Sequence, residues 1–297
     1  MTIFKKPWKL TGGFLFGGAL ALIGFIIQII AGPVDWGLAA FPVNIVLVVA
    51  LLAFVATAFL LRERSGFFGW LGSPAAAVPA IACALLLTIV MGLTAQIPER
   101  GWLGSMTTFW PFLLCYVWLT VVVGLVALDR LAGLGKNWRG IASALLHLGF
   151  FVTLVCASLG SVDKKDLEMT LHEGETVSVA SDETGKTYDT GLSVHLDDFT
   201  MEVYPSGMPK RFASDVVVTG KSGKEMTAVI EVNKPIEVDG WKMYQYGYDE
   251  EAGVESTVSI LELVKDPWLP LVYAGIFMML AGAFLMLFTG FKREESR

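Results

Sequence analysis

Residues 141–161 read IASALLHLGFFVTLVCASLGS, an apolar run that contains one ionisable side chain, His147. About 20 apolar residues in a row are long enough to cross a lipid bilayer as a helix. After this run the character of the chain changes, because charged residues become frequent and apolar residues alternate with polar ones. Alternation with a period of two is typical of half-buried strands. The change predicts a membrane helix that leads directly into a β domain.

The same length criterion identifies five further spans, which makes six in all: 11–30, 41–61, 76–93, 109–128, 141–161 and 268–288. Charged residues form 17% of the chain, against roughly a quarter in soluble globular proteins. We therefore predict an α-helical integral membrane protein with about six transmembrane helices and an all-β domain between helices 5 and 6. The first apolar run is longer than a typical signal-peptide core, so we expect it to be retained.

The sequence predicts that the chain has four parts. Residues 1–61 form an N-terminal pair of helices, and residues 62–161 form helices 3 to 5. Residues 162–265 form the β domain, and residues 266–297 form the last helix and a tail. Within 162–265, short alternating runs such as 226–232 and 257–264 are separated by turn-forming clusters. About seven strands in this length predict a small sandwich or barrel.

Basic residues predict the orientation of the helices, since cytoplasmic loops carry an excess of lysine and arginine. Outside 162–265, eleven of the twelve basic residues fall on one side of the six predicted helices, and Arg100 is the exception. Both termini are therefore expected in the cytoplasm and the β domain outside. The eleven residues are Lys5, Lys6, Lys9, Arg62, Arg64, Arg130, Lys136, Arg139, Lys292, Arg293 and Arg297.

The charge of the β domain excludes some classes of partner. It contains 21 of the 28 acidic residues and 10 of the 22 basic ones, which gives it a formal charge of −11. Such a surface argues against nucleic acid and against anionic lipid as its main partner. The three cysteines, Cys83, Cys115 and Cys156, lie in apolar runs without a CxxC pair. Disulfides, a zinc site and dithiol chemistry are thus disfavoured.

His147 is the strongest candidate for a functional residue. An ionisable side chain in a membrane helix is costly unless it has a partner or a ligand, and imidazole is a common ligand of haem iron. It lies about two helical turns from Arg139, roughly 12 Å along the helix. Its helical neighbours are expected to form a flat face that could admit a planar macrocycle: Ser143, Ala144, Phe150 and Phe151. A hydrogen bond to a neighbouring helix explains His147 equally well.

The other candidates are weaker. His172 and His195 lack metal-ligand spacing and are expected to be solvated on strands. Trp110 and Trp118 in the fourth span could border a cofactor, although such residues usually serve packing and the interfacial belt. Gln28 and Asn44 lie near helix ends, where water is expected to reach them. No nucleophile–base pair or nucleotide-binding motif is present, so the chain does not resemble a complete enzyme.

Three stretches of the chain resemble the ResB (CcsB) family of system II cytochrome c biogenesis proteins. They are LSVHLDDFTMEVYPSGMPKRFASDV at 192–216, VNKPIEVDGWKMYQYGYD at 232–249 and DPWLPLVYAG at 266–275. The segment that begins at His147 and runs on to Leu167 and Gly174 also matches that family's helix into its outer domain. In order and spacing together, these motifs extend the resemblance from about residue 66 to residue 291.

The resemblance implies a function. ResB proteins pair with a second membrane protein, ResC (CcsA), to form the haem exporter and cytochrome c synthase of bacterial inner membranes. A histidine on the helix before the outer domain is thought to hold haem on the cytoplasmic side, and His147 is the matching position. The resemblance thus implies that His147 is an axial ligand of haem b iron, that a ResC-like chain supplies the other ligand, and that the β domain meets apocytochrome c.

The chain departs from the family pattern in two ways. A usual ResB has four helices, whereas residues 1–61 add a pair, and the outer domain is short. The tryptophan-rich motif of the ResC partner is absent, which leaves thioether formation to another chain and makes this one a non-catalytic or co-catalytic subunit. Two alternatives remain: a membrane-anchored structural or sensory protein that binds no haem, and, less favoured, a stand-alone transporter of small solutes.

Overall fold

The computed structural model of the chain describes residues 9–97, 101–135 and 138–289. The chain divides into two compact units: a helix unit, Met1–Val162 with Trp268–Arg297, and a β unit, Asp163–Pro267. Some of the basic residues that predict the orientation lie outside the described residues: Lys5, Lys6, Arg100, Lys136, Lys292, Arg293 and Arg297.

The described part of the helix unit contains six helices that are long and apolar enough to cross a membrane, the number that the sequence predicts. A short additional helix lies between the second and third of them. Prolines at the first turns of α4 and α5 fit there because the N–H groups of a first turn have no partner within the helix. In chain order the helices are α1 Leu10–Ala31, α2 Val43–Leu61, α3 Gly66–Leu71, α4 Pro74–Leu93, α5 Trp110–Ala132, α6 Trp138–Gly160 and α7 Leu269–Thr289.

Helix α5 lies at the centre of the helix unit. It packs against α1, α2, α4 and α6. Within its most apolar 18-residue window, 61% of the residues are buried, against 11–33% in the other five long helices. The exposed faces of those other helices carry large apolar side chains, among them Leu15, Leu60 and Phe284. An apolar outer surface of this kind is typical of helices that lie in lipid.

Helices α6 and α7 pack closely because glycines lie between them. A Cβ atom at Gly149 would come within 2.5 Å of the carbonyl oxygen of Gly275, and one at Gly282 within 2.7 Å of that of Ala142. Small residues allow the backbones of membrane helices to approach each other, and the resulting van der Waals contacts hold the helices together. The two helices that flank the β unit in sequence are therefore also partners in space.

The β unit is one antiparallel sheet of eight strands in the order β5-β4-β3-β2-β1-β8-β7-β6. The sequence predicts about seven strands. The edge strand β5 contacts β7, the neighbour of the other edge strand, and a bridge joins Glu231 at the end of β5 to Lys234 just before β6. The sheet is thus a nearly closed barrel. Its strands are β1 Lys165–His172, β2 Thr176–Ser181, β3 Thr187–Val203, β4 Pro209–Thr219, β5 Glu225–Glu231, β6 Ile236–Val238, β7 Trp241–Tyr248 and β8 Val258–Lys265.

The period-two pattern predicts the inward face of the strands. Leu192, Val194 and Leu196 are buried, whereas Ser193 and His195 between them are partly exposed. The predicted alternation ends too late in β5, because Val232 lies beyond the strand and is exposed. The core is formed by inward residues of all the longer strands, including Met169, Val216, Ile230, Trp241, Met243, Leu261 and Leu263.

The barrel interior also contains a polar cluster. Ser214 on β4 donates to the side-chain oxygen of Gln245 on β7 at 2.5 Å and lies 2.7 Å from the hydroxyl oxygen of Ser259 on β8. All three side chains are buried. Buried polar groups destabilise a fold unless they are hydrogen-bonded, so this cluster fixes the relative positions of β4, β7 and β8 across the interior.

Candidate functional site

His147 lies on α6, half-buried, and its ring bonds to its own helix. Its Nδ1 atom is 2.8 Å from the carbonyl oxygen of Ser143, one turn earlier. A carbonyl oxygen can only accept, so Nδ1 must carry the hydrogen and donate it. In the neutral ring, Nε2 then keeps its lone pair. Ligating histidines commonly donate their second ring N–H in this way, which orients the ring and fixes the tautomer.

The alternative explanation of His147 is a hydrogen bond to another helix. Within the described residues, the His147 ring makes one hydrogen bond, and its partner is the carbonyl oxygen of Ser143. His147 is also off the α6 face that packs against α7, since that face carries Ala142, Leu146, Gly149 and Thr153. Among the described residues, the ring nitrogen that could hold a ligand therefore makes no hydrogen bond to a neighbouring helix.

The predicted flat face around His147 is only partly present. Ala144 and Phe151 are buried, and the Phe151 ring lies against Gly124 of α5, where a Cβ atom would come within 2.7 Å of it. Ser143 and Phe150 are half-buried. The expectation that all four neighbours form one open face is wrong, because α5 covers the side of α6 that carries Ala144 and Phe151.

A charged cavity of about 500 Å³ lies one turn from His147. We call it the arginine cavity; the chain ends of α2, α5 and α6 that form it contribute Arg62, Asp129, Arg130, Ala132, Gly133, Arg139, Gly140 and Ser143. Its three guanidinium groups outnumber its one carboxylate. Ser143 joins it to His147, since the same residue lines the cavity and accepts the histidine hydrogen bond.

Two of the three arginines of the cavity, Arg62 and Arg130, have at most a loose ion pair among the described residues. Arg62 and Asp129 are 3.9 Å apart, and both side chains are substantially exposed. An exposed pair at that distance contributes little to stability. Arg62 also lies over the ring of Phe59, 3.7 Å from its centroid. Arg130 forms no ion pair with any carboxylate in the described part of the chain.

An apolar cavity of about 390 Å³ lies near the other end of α5 and α6. We call it the tryptophan cavity; it is lined by Trp36 of the connection between α1 and α2, by Leu47 and Leu51 of α2, by Trp110 and Tyr116 of α5, and by Ser158 of α6. The Trp110 indole donates to the carbonyl oxygen of Gly32 at 3.1 Å, and the Tyr116 hydroxyl donates to that of Leu154 at 2.8 Å. Residues of the N-terminal pair thus form one wall of a cavity of the bundle.

Two polar residues that the sequence places within reach of water are buried instead. Gln28 accepts from the backbone N–H of Trp110 at 3.1 Å, and Asn44 donates to the carbonyl oxygen of Leu159 at 3.2 Å. Both side chains are at most 4% exposed. Each ties a helix of the N-terminal pair to α5 or α6, because a buried amide needs a partner. The prediction that water reaches them is wrong.

The remaining sequence candidates lie in two settings. Trp118 is buried in the helix core, with its ring 5.1 Å from that of Phe16, and does not line either cavity described above. His172 is exposed at the end of β1. His195 lies 2.8 Å from the hydroxyl of Thr176 and 3.4 Å from the carboxylate of Asp197. Among the described residues, no group of three His, Cys, Asp or Glu is placed to hold a metal ion.

The resemblance to the ResB family is confirmed for part of the chain. A family model described as the ResB-like family matches residues 132–261, which is less than half of the chain. That segment begins at the end of α5 and includes His147 and most of the β unit. The rest of the predicted range, 66–131 and 262–291, lies outside the match.

Curated relatives carry the same family name. The chain is 30% identical over 101 residues to the cytochrome c biogenesis protein CcsB of Prochlorococcus marinus (strain NATL2A), which covers 34% of this chain and 23% of the relative. It is 28% identical over 106 residues to CcsB of Synechococcus sp. (strain RCC307), covering 35% and 24%. The alignments thus span about a quarter of the length of these relatives.

A solved structure, cytochrome c haem lyase CcmF, is similar at a TM-score of 0.39 and 16% identity. The superposition covers 95% of this chain and 46% of that one. A likeness of that size bears neither on the fold nor on the function of this chain.

Proposed function

We propose that this chain, which resembles the ResB (CcsB) proteins of cytochrome c biogenesis over residues 132–261, is the ResB-like subunit of a haem-export and cytochrome c synthase complex. It holds haem b in the membrane as cargo and supports its delivery to apocytochrome c. His147 is one axial ligand of the iron, and a ResC-like (CcsA-like) membrane protein provides the other. The chain is a subunit of the synthase rather than a complete enzyme.

The hydrogen bond of His147 carries this proposal. Iron binds an unprotonated imidazole nitrogen, and donation of Nδ1–H to Ser143 leaves Nε2 in that state. Because the bond is to the same helix, the ring keeps its orientation without help from a neighbouring helix. A histidine that served packing would instead be expected to bond across an interface. The family resemblance covers this residue and supports the same role.

The distribution of basic residues supports a cytoplasmic loading site. In the proposed orientation, in a bacterial inner membrane, the arginine cavity is at the cytoplasmic end of the bundle, because Arg62, Arg130 and Arg139 follow the positive-inside rule. The same orientation is proposed for both chain termini. His147 is then about one turn deeper than this cavity, where haem from the cytoplasm would first reach the membrane.

The β unit is proposed to lie on the outer side, where apocytochrome c is present. Residues 162–265, which form almost all of this unit, have a formal charge of −11, and that charge attracts basic polypeptides over distances up to about the Debye length, roughly 10 Å at 0.1 M salt. The chain has no tryptophan-rich motif of the ResC type, so thioether formation is assigned to the partner.

The visible spectrum of the purified protein tests this proposal. The wild type, co-expressed with a ResC-like partner and without it, is expected to carry a Soret band. His147→Ala should abolish most of that band, because the variant removes the donor atom. His195→Ala is the matched control, since that histidine lies on the β unit, and its band should be unchanged.

A second variant separates ligation from structural damage. In His147→Gly, added imidazole should restore the Soret band, because free imidazole can replace the missing side chain at the iron. A colourless wild type in the presence of the partner would overturn the proposal and favour the membrane-anchored structural or sensory protein. A band that survives in His147→Ala would assign the ligand to another residue.

A further inference from the structure

The arginine cavity brings together three positive residues that are far apart in sequence. Arg62 follows the end of α2, Arg130 lies in the last turn of α5 and Arg139 lies in the first turn of α6. Like charges repel, so an arrangement that concentrates three guanidinium groups around about 500 Å³ suits a negatively charged ligand. Guanidinium groups match carboxylates and phosphates especially well, because their planar N–H donors bind two oxygens side by side.

The position of the cavity relative to His147 restricts what that ligand is. Ser143 lines the cavity, and its carbonyl oxygen accepts from Nδ1 of His147 at 2.8 Å. One helical turn corresponds to about 5.4 Å along the axis. A ligand that engages both His147 and the arginines therefore needs a metal-bearing centre and an anionic edge several ångström apart.

Haem has this distribution of chemical groups. Its iron lies at the centre of an apolar macrocycle, and its two propionate carboxylates lie together on one edge. We propose that Arg62, Arg130 and Arg139 bind the propionates of the haem whose iron His147 ligates. This inference rests on the proposed function, and it adds that the cavity selects the free dicarboxylic acid and sets the orientation in which haem enters.

Asp129 has an opposing effect in the same cavity. Its carboxylate lies 3.9 Å from the Arg62 guanidinium and lowers the positive charge available to a ligand. Since both side chains are exposed and the contact is long, a bidentate carboxylate can displace it at little cost. Removal of this negative charge should strengthen the binding of an anion.

A phospholipid headgroup presents the same oxyanion chemistry at this end of the bundle. The two sources differ in their dependence on His147 and on the propionates. A headgroup needs neither, whereas haem needs both. Titrations with haemin, with haemin dimethyl ester and with phosphatidylglycerol therefore distinguish them.

The experiment measures the affinity of the full-length protein in detergent for haemin and for its dimethyl ester, from the growth of the Soret band. The ratio of the two affinities is the readout, since the ester keeps the iron and the macrocycle but lacks the carboxylates. In the wild type, haemin should bind about ten times more tightly or better, as expected for one or more charge-assisted contacts. Arg130→Gln with Arg139→Gln should bring the ratio close to one while binding of the ester is kept.

Two further variants keep the test decisive. Arg64→Gln is the matched control, because Arg64 is exposed near the same end of α2 and does not line the cavity, so its ratio should equal that of the wild type. Asp129→Asn should raise the ratio a few-fold and does not depend on the stability of the double arginine variant.

The outcomes separate the two proposals. Absence of a Soret band that depends on His147, with haemin and with the ester alike, contradicts the proposed function. A band that depends on His147 but forms equally well with both ligands overturns only the propionate site. If phosphatidylglycerol binding needs the arginines while the haemin-to-ester ratio does not, the cavity is a lipid headgroup site.

Discussion

The β unit and the helix unit reveal their cores differently in the sequence. In the β unit, Leu192, Val194 and Leu196 alternate with partly exposed residues, and the alternation shows which face is buried. In the helix unit, the six long helices have nearly the same mean hydropathy, yet α5 is mostly buried and α7 mostly exposed. Hydrophobic patterning therefore identifies the core where one side of an element faces water.

The difference has a physical origin. Exposure of apolar surface to water is unfavourable in free energy, so a strand with one face in water needs polar residues on that face. A lipid tail is as apolar as leucine, so a membrane helix has no comparable need on its outer face. Packing of the helix unit depends instead on shape, as at Gly149 and Gly275, and on single hydrogen bonds such as those of Gln28 and Asn44.

The largest expected difference in stability is between alanine substitutions at one leucine of each unit. Leu261 on β8 is fully buried, whereas Leu280 on α7 is 59% exposed. Leu261→Ala should destabilise the β unit by about 2–5 kcal/mol, because it removes buried methyl groups and leaves a cavity. Leu280→Ala should change the stability of the helix unit by less than about 0.5 kcal/mol. Hydrogen exchange of strand and helix peptides in the full-length protein measures both.

Equal losses of stability in Leu261→Ala and Leu280→Ala would contradict this difference between the two units. A large loss for Leu280→Ala would mean that a partner or a second copy covers that face of α7. A small loss for Leu261→Ala would mean that the barrel interior relaxes around the missing side chain.

An intermediate difference in stability is expected between alanine substitutions at two glycines of α1. A Cβ atom at Gly24 of α1 would lie 2.5 Å from the backbone nitrogen of Pro111, whereas one at Gly18 would meet nothing within 4 Å. Gly24→Ala should therefore destabilise the helix unit by about 1–3 kcal/mol through overpacking. Gly18→Ala should be neutral or slightly stabilising, since alanine favours a helix.

Thermal unfolding in detergent measures this pair of variants. The local sequence around Gly18 and Gly24 does not distinguish the two positions. The expected difference in stability therefore comes only from the packing of α1 against α5. Equal melting temperatures for the two variants would show that α1 does not approach α5 as closely as the backbone distances at Pro111 indicate.

The smallest expected effect is a loss of stability of the β unit at acid pH. Hydrogen bonds from the hydroxyls of Thr184 and Tyr188 lower the pKa of Asp182 to about 2, and the N–H groups of Thr184 and Lys186 contribute in the same direction. The unfolded chain has an aspartate pKa of about 4. The stabilisation is therefore fully present above pH 4 and is lost as the pH falls from about 4 through about 2.

Ion pairs act in the same direction. Pairing with Lys210 lowers the pKa of Glu202, and hydrogen bonding to Lys234 and Arg211 lowers that of Glu231. All these carboxylates lie in the β unit, so acid should loosen that unit first. Asp182→Asn should flatten the acid dependence of urea unfolding of the β unit below pH 4. A slope equal to that of the wild type would show that Asp182 is not the group that titrates.

The candidate site was predicted unevenly from the sequence. His147 stands out because a histidine is rare in an apolar run, and the structure adds the bond to Ser143 that leaves Nε2 free to accept. The arginine cavity was missed, although Arg62, Arg130 and Arg139 all entered the orientation argument as charges. Their meeting depends on the tertiary positions of α2, α5 and α6, which no local pattern encodes.

The sequence by itself determined the six long helices, the β domain before the last of them, and the inward face of β3. Each of these follows from spans of apolar residues or from alternation against water, both of which are local. Only the tertiary structure decided that α5 is central, that α6 pairs with α7, and that residues of α2 and of the connection before it line the tryptophan cavity. In a bundle that is apolar inside and outside, those choices depend on the fit of surfaces distant in sequence, and hydropathy carries no record of that fit.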